Sequence, residues 1–320
     1  MTDLEPREWL DVIRRDYLDD FVREGGAAVK FIVPPSAAGR REVVDGLREI
    51  AEQARYQFAL VDAATTKIHL IDRLFHAVAG QVDWDALTRT FLIAALREEG
   101  FTLPGDPAEL RLADIARLND RPSEALVRNQ VRTLLENRVY RDYEMSQEFR
   151  LAMIRLCLAV LDPDDEPGLE EAVKAWLRGE LRLISTLKRA LIFQKIARHN
   201  GRHMLFSLAH WLKLAGRSGL LLVLDISRYG DTARLPQRQE GLYYSTAATL
   251  DAYEVLRQLI DATDELTFCF VGVVAAPEFL TDDRRGVRRY DALYLRVADE
   301  VRDRVRANPL SSLVRVGTGE

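Results

Sequence analysis

Six residues beyond a short apolar run, Gly39 is followed by two cations, Arg40 and Arg41, in the stretch KFIVPPSAAGRRE (30–42). An apolar strand, a turn of small residues, one glycine and a basic residue ahead of a helix outline a loop that binds phosphate. Such a loop reads G-x-x-x-x-G-K-[ST] and cradles the anion in curled backbone N–H groups. Aligned on Gly39, Pro34 takes the place of the first glycine, Arg40 that of the lysine and Arg41 that of the metal-binding hydroxyl. Each change works against the chemistry. Proline has no N–H to offer and fixes its own φ. Arginine presents a planar fork in place of a compact ammonium, and a cation at the hydroxyl position repels Mg²⁺. The stretch reads either as a dismantled nucleotide site or as an ordinary strand–turn–helix with no ligand.

Hydrolysis also needs carboxylates. GLLLVLD (219–225) ends in Asp225, an acid suited to holding a metal, but the next residue is Ile226. Isoleucine neither accepts a proton nor orients water. No catalytic residue is therefore assigned. No G-x-S-x-G elbow occurs elsewhere in the chain.

Three further clusters have chemical potential. Residues 174–217 carry ten lysines and arginines against one acid, Glu180, a local net charge of +9 in a chain of net −5. Lys188, Arg189, Lys195, Arg198 and Arg202 are its candidate contacts to a polyanion, whether DNA or an acidic partner surface; a solvated helix face is the plainer alternative. His199 and His203 stand four apart, a spacing found at zinc sites, yet no cysteine or intervening glutamate supports them. They read as capping or surface histidines, and no metal site is assigned. Arg284, Arg285, Arg288 and Arg289 form a second basic cluster. From it, Arg285 and Arg289 are candidates for completing a neighbouring copy's site in trans, against the reading of a solvated loop.

These groups need a scaffold. The 320 residues, 48% apolar and 30% charged, suit a globular chain with a sizeable core. Largely apolar runs without polar alternation at Ala27–Val33, Tyr56–Val61, Gly219–Asp225 and Thr267–Val274 predict buried parallel strands, and Leu313–Val316 a last one. Helical periodicity marks 6–24, 42–53, 68–78, 247–262 and 291–306. From 83 to 217 the strand signal vanishes, and helical spacing recurs at 110–117, 123–136, 146–161, 169–178 and 184–215. The expected class is α/β, a parallel sheet with helices on both faces and a large all-helical insertion. The expected division is 1–82, 83–217 and 218–320, the first and last forming one discontinuous domain. In such sheets the loop after the first strand and the acid closing GLLLVLD share the carboxyl edge, where ligands bind. The longest apolar runs are too short to span a bilayer. Two cysteines in apolar surroundings, Cys157 and Cys269, suit a reducing compartment, so a cytoplasmic location is expected.

A series of segments in fixed order adds to this. FVREGGAAVKFIV precedes the loop, and WLRGE occupies 176–180. HNGRHMLFSLAHWLKLAGRSGLLLVLD covers 199–225 and LDAYEVLRQLIDATDEL 250–266. DDRRGVRRYDALYLRVADEVRD at 282–303 and NPLSSLVRV at 308–316 complete it. Together they resemble the ATP-binding P-loop proteins of BREX-type phage-defence systems, over nearly the whole chain. The resemblance implies an AAA+-like P-loop fold, ATP as the nucleotide and Mg²⁺ beside it. It implies partners within a defence system (helicase or DNA-modification subunits) and self-assembly into a homo-oligomer. The departures at Pro34, Arg40, Arg41 and Ile226 fall on the positions that would hold phosphate, metal and water. They lead to the expectation of a non-hydrolysing scaffold or regulator of a DNA-acting complex. The alternatives are an active ATPase, in which Arg40 replaces lysine and Asp62 or a partner supplies the base, and a DNA-binding module using the basic insertion.

Overall fold

A computed structural model describes residues 4–121, 123–230, 241–298 and 307–317. The chain divides into two compact units, one of residues 1–78 and 217–320, the other of 79–216.

The first unit is built on five parallel strands: β1 (Ala27–Val33), β2 (Gln57–Asp62), β3 (Leu220–Asp225), β4 (Cys269–Val274) and β5 (Leu313–Arg315), in the order β2-β3-β4-β1-β5. The α/β class and the parallel sheet expected from the apolar runs are both present. On one face lie α1 (Pro6–Val12), which continues as a π-helix to Phe21, and α2 (Ala37–Gln53). Trp9, Ile13, Val43 and Leu47 from these helices pack with Ile32, Val223 and Phe270 from the strands. On the other face Phe31 stacks on Phe279 at 5.7 Å, and Phe279 meets Tyr253 of α10 (Thr246–Asp261) edge-on.

Strand β1 has one charged side chain, Lys30, and it is buried. Its ammonium donates to the carbonyls of Leu310 and Ser311 and lies 4.8 Å from the ring centroid of Tyr17, which ties the approach to β5 onto the sheet. Entry into β3 depends on Gly219. Its φ is +149°, and a Cβ there would stand 2.1 Å from the carbonyl oxygen of Phe268. Only glycine allows that close approach.

The second unit is helical: α4 (Trp84–Glu98), α5 (Leu112–Leu118), α6 (Glu124–Leu135), α7 (Gln147–Leu161), α8 (Leu169–Leu177) and α9 (Gly201–Leu214), with short 3₁₀ and π turns between. The continuous helix expected over 184–215 does not form. A 3₁₀ segment, Ile184–Ala190, ends at Leu191 with φ +59°, an irregular stretch and a turn follow, and α9 starts only at Gly201. Asn200, at the cap position, makes no side-chain bond to the helix; its Oδ1 accepts the N–H of Ala197 in the turn before it. The helix expected over 291–306 is seen as α12 (Asp291–Val297), and 299–306 lie outside the described residues. No helix among the described residues is long and apolar enough to cross a membrane.

Candidate functional site

The carboxyl ends of the strands bring the candidate residues together. Strand β1 leads through α2 to β2 at one edge of the sheet, whereas its neighbour β4 leads toward β5 at the other. Adjacent strands that send the chain in opposite directions leave a crevice at their carboxyl ends, where α/β sheets bind ligands.

At that edge the segment after β1 is short. Only Pro34, Pro35 and Ser36 separate Val33 from the first residue of α2. Sequence spacing predicts a helix from about residue 42, but it starts at Ala37. The cause is local: Ser36 caps the helix, its hydroxyl accepting the N–H of Gly39 at 3.2 Å, while its carbonyl accepts the N–H of Arg40. Residues 37–39, which would curl around phosphate in a nest, are wound into the first turn instead. Gly39 is in ordinary helical conformation. A Cβ added there would meet Pro34 and Pro35 at 3.5 Å, normal van der Waals contact, so neither φ nor space calls for glycine. Pro34 is buried and Arg41 is exposed.

Arg40 turns across the edge. Its Nε lies 3.3 Å from Oδ2 of Asp225, the last residue of β3. Asp225 is 8% exposed, and its Oδ1 accepts the N–H of Ser227 at 3.0 Å. Burial pushes the Asp225 carboxyl above its ordinary value; the Ser227 hydrogen bonds and the Arg40 charge pull it back, and Asp62 pushes it up again. Asp62 is opposite Asp225 in the β2–β3 register, with Oδ1 accepting the N–H of Ala64 at 2.7 Å. Ile226, the residue after the acid, is buried. Pro34, Gly39, Arg40 and Asp225 thus share one edge, and the cation and the acid engage each other.

Arg285 and Arg289 part company. Arg285 is buried against its own chain: its guanidinium donates to the Tyr243 hydroxyl at 3.2 Å and lies over that ring, and its backbone carbonyl accepts the Tyr253 hydroxyl at 2.6 Å. Arg289 is exposed.

The basic segment is less uniform than its composition. Lys174 is buried, with its Nζ 2.6 Å from both Asp85 and Glu170 and 3.2 Å from Glu171, so it is a neutralised anchor. Lys188, Arg189, Lys195 and Arg198 are exposed and Arg202 half-buried. His199 lies before α9 and His203 within it, so the two do not share a helix face. Among the described residues no group of three or more His, Cys, Asp or Glu is placed to hold a metal ion. Cys157 and Cys269 are free and buried, and burial pushes both thiols up.

Sequence reasoning missed α4 and the Ser36 cap. Ser36 stands three residues before Gly39, the spacing of a cap to the third helical residue, a signal present in the sequence.

No curated protein and no solved structure matches the chain. A family model described as BREX system ATP-binding protein BrxC/D matches residues 108–316, nearly two thirds of the chain. The match includes Asp225, the basic segment and Arg289, and begins after the Pro34–Arg41 stretch. By that match, the chain belongs to the BREX system ATP-binding protein BrxC/D family.

Proposed function

We propose that this chain is a BREX-system subunit with the frame of a P-loop, AAA+-like ATPase but without its hydrolytic chemistry, serving as a scaffold or regulator for a DNA-acting partner. The observation that carries the reading is the Arg40–Asp225 pair. The cation at the lysine position binds the acid that would hold Mg²⁺, and so occupies the place of both phosphate and metal. Three features support it. The segment between β1 and α2 has two prolines and one capping serine, so it offers few free N–H groups to an anion. A buried Ile226 follows the acid where a base would be needed. Oδ1 of Asp225 already accepts the N–H of Ser227, so that oxygen is not free to face a metal ion.

A second reading, an active ATPase, draws on Asp62. It stands beside Asp225 at the same edge and gives a second carboxylate once Arg40 swings toward a phosphate.

Calorimetric titration with Mg-ATP and a steady-state hydrolysis assay on the full chain separate the two. The proposal expects no turnover above background and the same result for Asp225→Ala. Turnover that Asp225→Ala abolishes would establish the ATPase reading in its place.

A further inference from the structure

Between α8 and α9 the second unit displays apolar and cationic side chains together. Leu183 is 68% exposed, Leu191 55% and Phe193 61%. Arg182, Lys188, Arg189, Lys195 and Arg198 around them are exposed, and residues 181–217 contain no acid.

Buried neighbours and hydrogen bonds tie this surface to the unit. Leu187, Ala190, Ile192 and Ile196 are buried and anchor it from below. The Trp176 indole N–H donates to the carbonyl of Gln194 at 3.0 Å, next to Phe193. Lys195 Nζ donates to the carbonyl of Arg182 at 3.2 Å, which brings the Phe193–Lys195 strip beside Arg182 and Leu183. The N–H of Ile192 reaches the carbonyl of Leu187 at 3.2 Å, folding Leu191 back over Lys188. These bonds draw Lys195 to Arg182 and Leu191 to Lys188, so the groups are nearer in space than in sequence.

Cations alone would fit any polyanion. Exposed leucines and a phenylalanine on fixed backbone add a different requirement, since the phosphate walls of a duplex leave them unused. A single strand offers both partners at once: phosphates for the cations, and unstacked bases for an aromatic face and its apolar neighbours. We infer that the patch of Arg182, Leu183, Lys188, Leu191, Phe193 and Lys195 binds single-stranded nucleic acid, with Phe193 as a stacking platform. This inference does not rest on the fate of the nucleotide position.

The test is fluorescence anisotropy of the full chain with a labelled oligothymidylate of about 16 nucleotides at about 50 mM salt. A duplex of the same length and poly-glutamate serve as competitors. The expected result is preference for the single strand. Phe193→Ala should weaken binding about tenfold. The triple variant Lys188→Glu, Arg189→Glu, Lys195→Glu should weaken it at least about tenfold and flatten the logarithmic salt slope by about 2, since each phosphate contact to a single strand contributes about 0.7. All four positions are exposed, so unchanged circular dichroism and thermal midpoint are the control for folding. Absence of oligothymidylate binding overturns the inference. So does equal binding of duplex, or poly-glutamate competition with no effect of Phe193→Ala, which would assign the patch to an acidic protein surface.

Discussion

Nε of Arg40, in the first turns of α2, lies 3.3 Å from Oδ2 of Asp225 at the end of β3. Each group answers a cost the other carries. A cation near a helix N-terminus opposes the macrodipole, and a nearby carboxylate offsets it. A buried carboxylate loses hydration, and a guanidinium in ion-pair contact returns part of it. The two residues also come from separate segments of the chain, joined only through the sheet. On the proposed reading, an arriving Mg-nucleotide would have to break this contact before making its own.

The balance at Asp225 gives a pH prediction. Burial leads the causes that raise its carboxyl above the ordinary value, so the folded state holds that proton more tightly than the unfolded chain. Its contribution to stability is fully present below the unfolded value of about 3.9 and is lost as pH rises through the folded value. Asp225→Asn removes that titration while still accepting the Ser227 N–H. Denaturant unfolding should show the variant gaining on the wild type as pH rises from about 4 to 7. Arg40→Ala removes the charge that pulls the carboxyl down. It should cost about 0.5–1 kcal/mol near neutral pH, since Arg40 is partly exposed, and should steepen the wild-type pH dependence. A gap between wild type and Asp225→Asn that is flat with pH would contradict this account.

Gly39→Ala tests whether the glycine still serves a phosphate loop. A methyl group there meets only ordinary contacts, and the residue is helical. The substitution should therefore stabilise by about 0.5–1 kcal/mol in chemical denaturation, the usual helix gain over glycine. Destabilisation would mean that the backbone at 39 needs a freedom the helical conformation does not express.

The sheet was legible because parallel strands buried on both faces read as largely apolar runs without polar alternation, and AAVKFIV, LLLVLD and CFVGVV provide them. The juxtaposition of Arg40 and Asp225 was open to argument for the same reason: once both strands are parallel, their carboxyl ends share an edge. Other features were not legible. A 3₁₀ turn followed by irregular chain at 184–200 has apolar residues at helix-like intervals, and nothing in that spacing shows that Leu191 takes a left-handed φ. The inward turn of Arg285 depends on Tyr243 and Tyr253, residues 42 and 32 positions away in sequence. The basic count for 174–217 included Lys174, whose partner Asp85 lies far upstream.

That cluster makes its own prediction. Burial opposes ionisation of Asp85, but hydrogen bonding with Lys174 and Glu170 outweighs it and holds the carboxyl below its ordinary value. A lowered carboxylate contributes stability above the unfolded value of about 3.9, and that contribution is lost as pH falls through the folded value. Lys174→Met leaves Asp85, Glu170 and Glu171 facing one another without a cation. It should cost about 1–3 kcal/mol at pH 7, less than a fully buried pair because the carboxylates remain partly wet. The gap to wild type should shrink as the carboxylates protonate below about pH 4. Urea unfolding across that pH range is the measurement, and a gap independent of pH would remove the electrostatic explanation.

The last prediction concerns the entry to β3, on which the position of Asp225 depends. Gly219 combines a φ of +149° with a backbone oxygen 2.1 Å from where its Cβ would stand. That oxygen, on Phe268, also accepts the N–H of Leu220 at 2.9 Å, so it is held in place by the ladder between β3 and β4. Phe268 itself has a φ of +54°, so the neighbouring backbone has little freedom to yield. Gly219→Ala must then either shift β3 against β4 or break that hydrogen bond. Either route should cost about 2–4 kcal/mol in urea unfolding. A register shift would move Asp225 away from Arg40, so Gly219→Ala should also reduce the effect of Arg40→Ala, measured as a non-additive double-mutant cycle. Strict additivity would mean that β3 accommodates the methyl group without moving its carboxyl end.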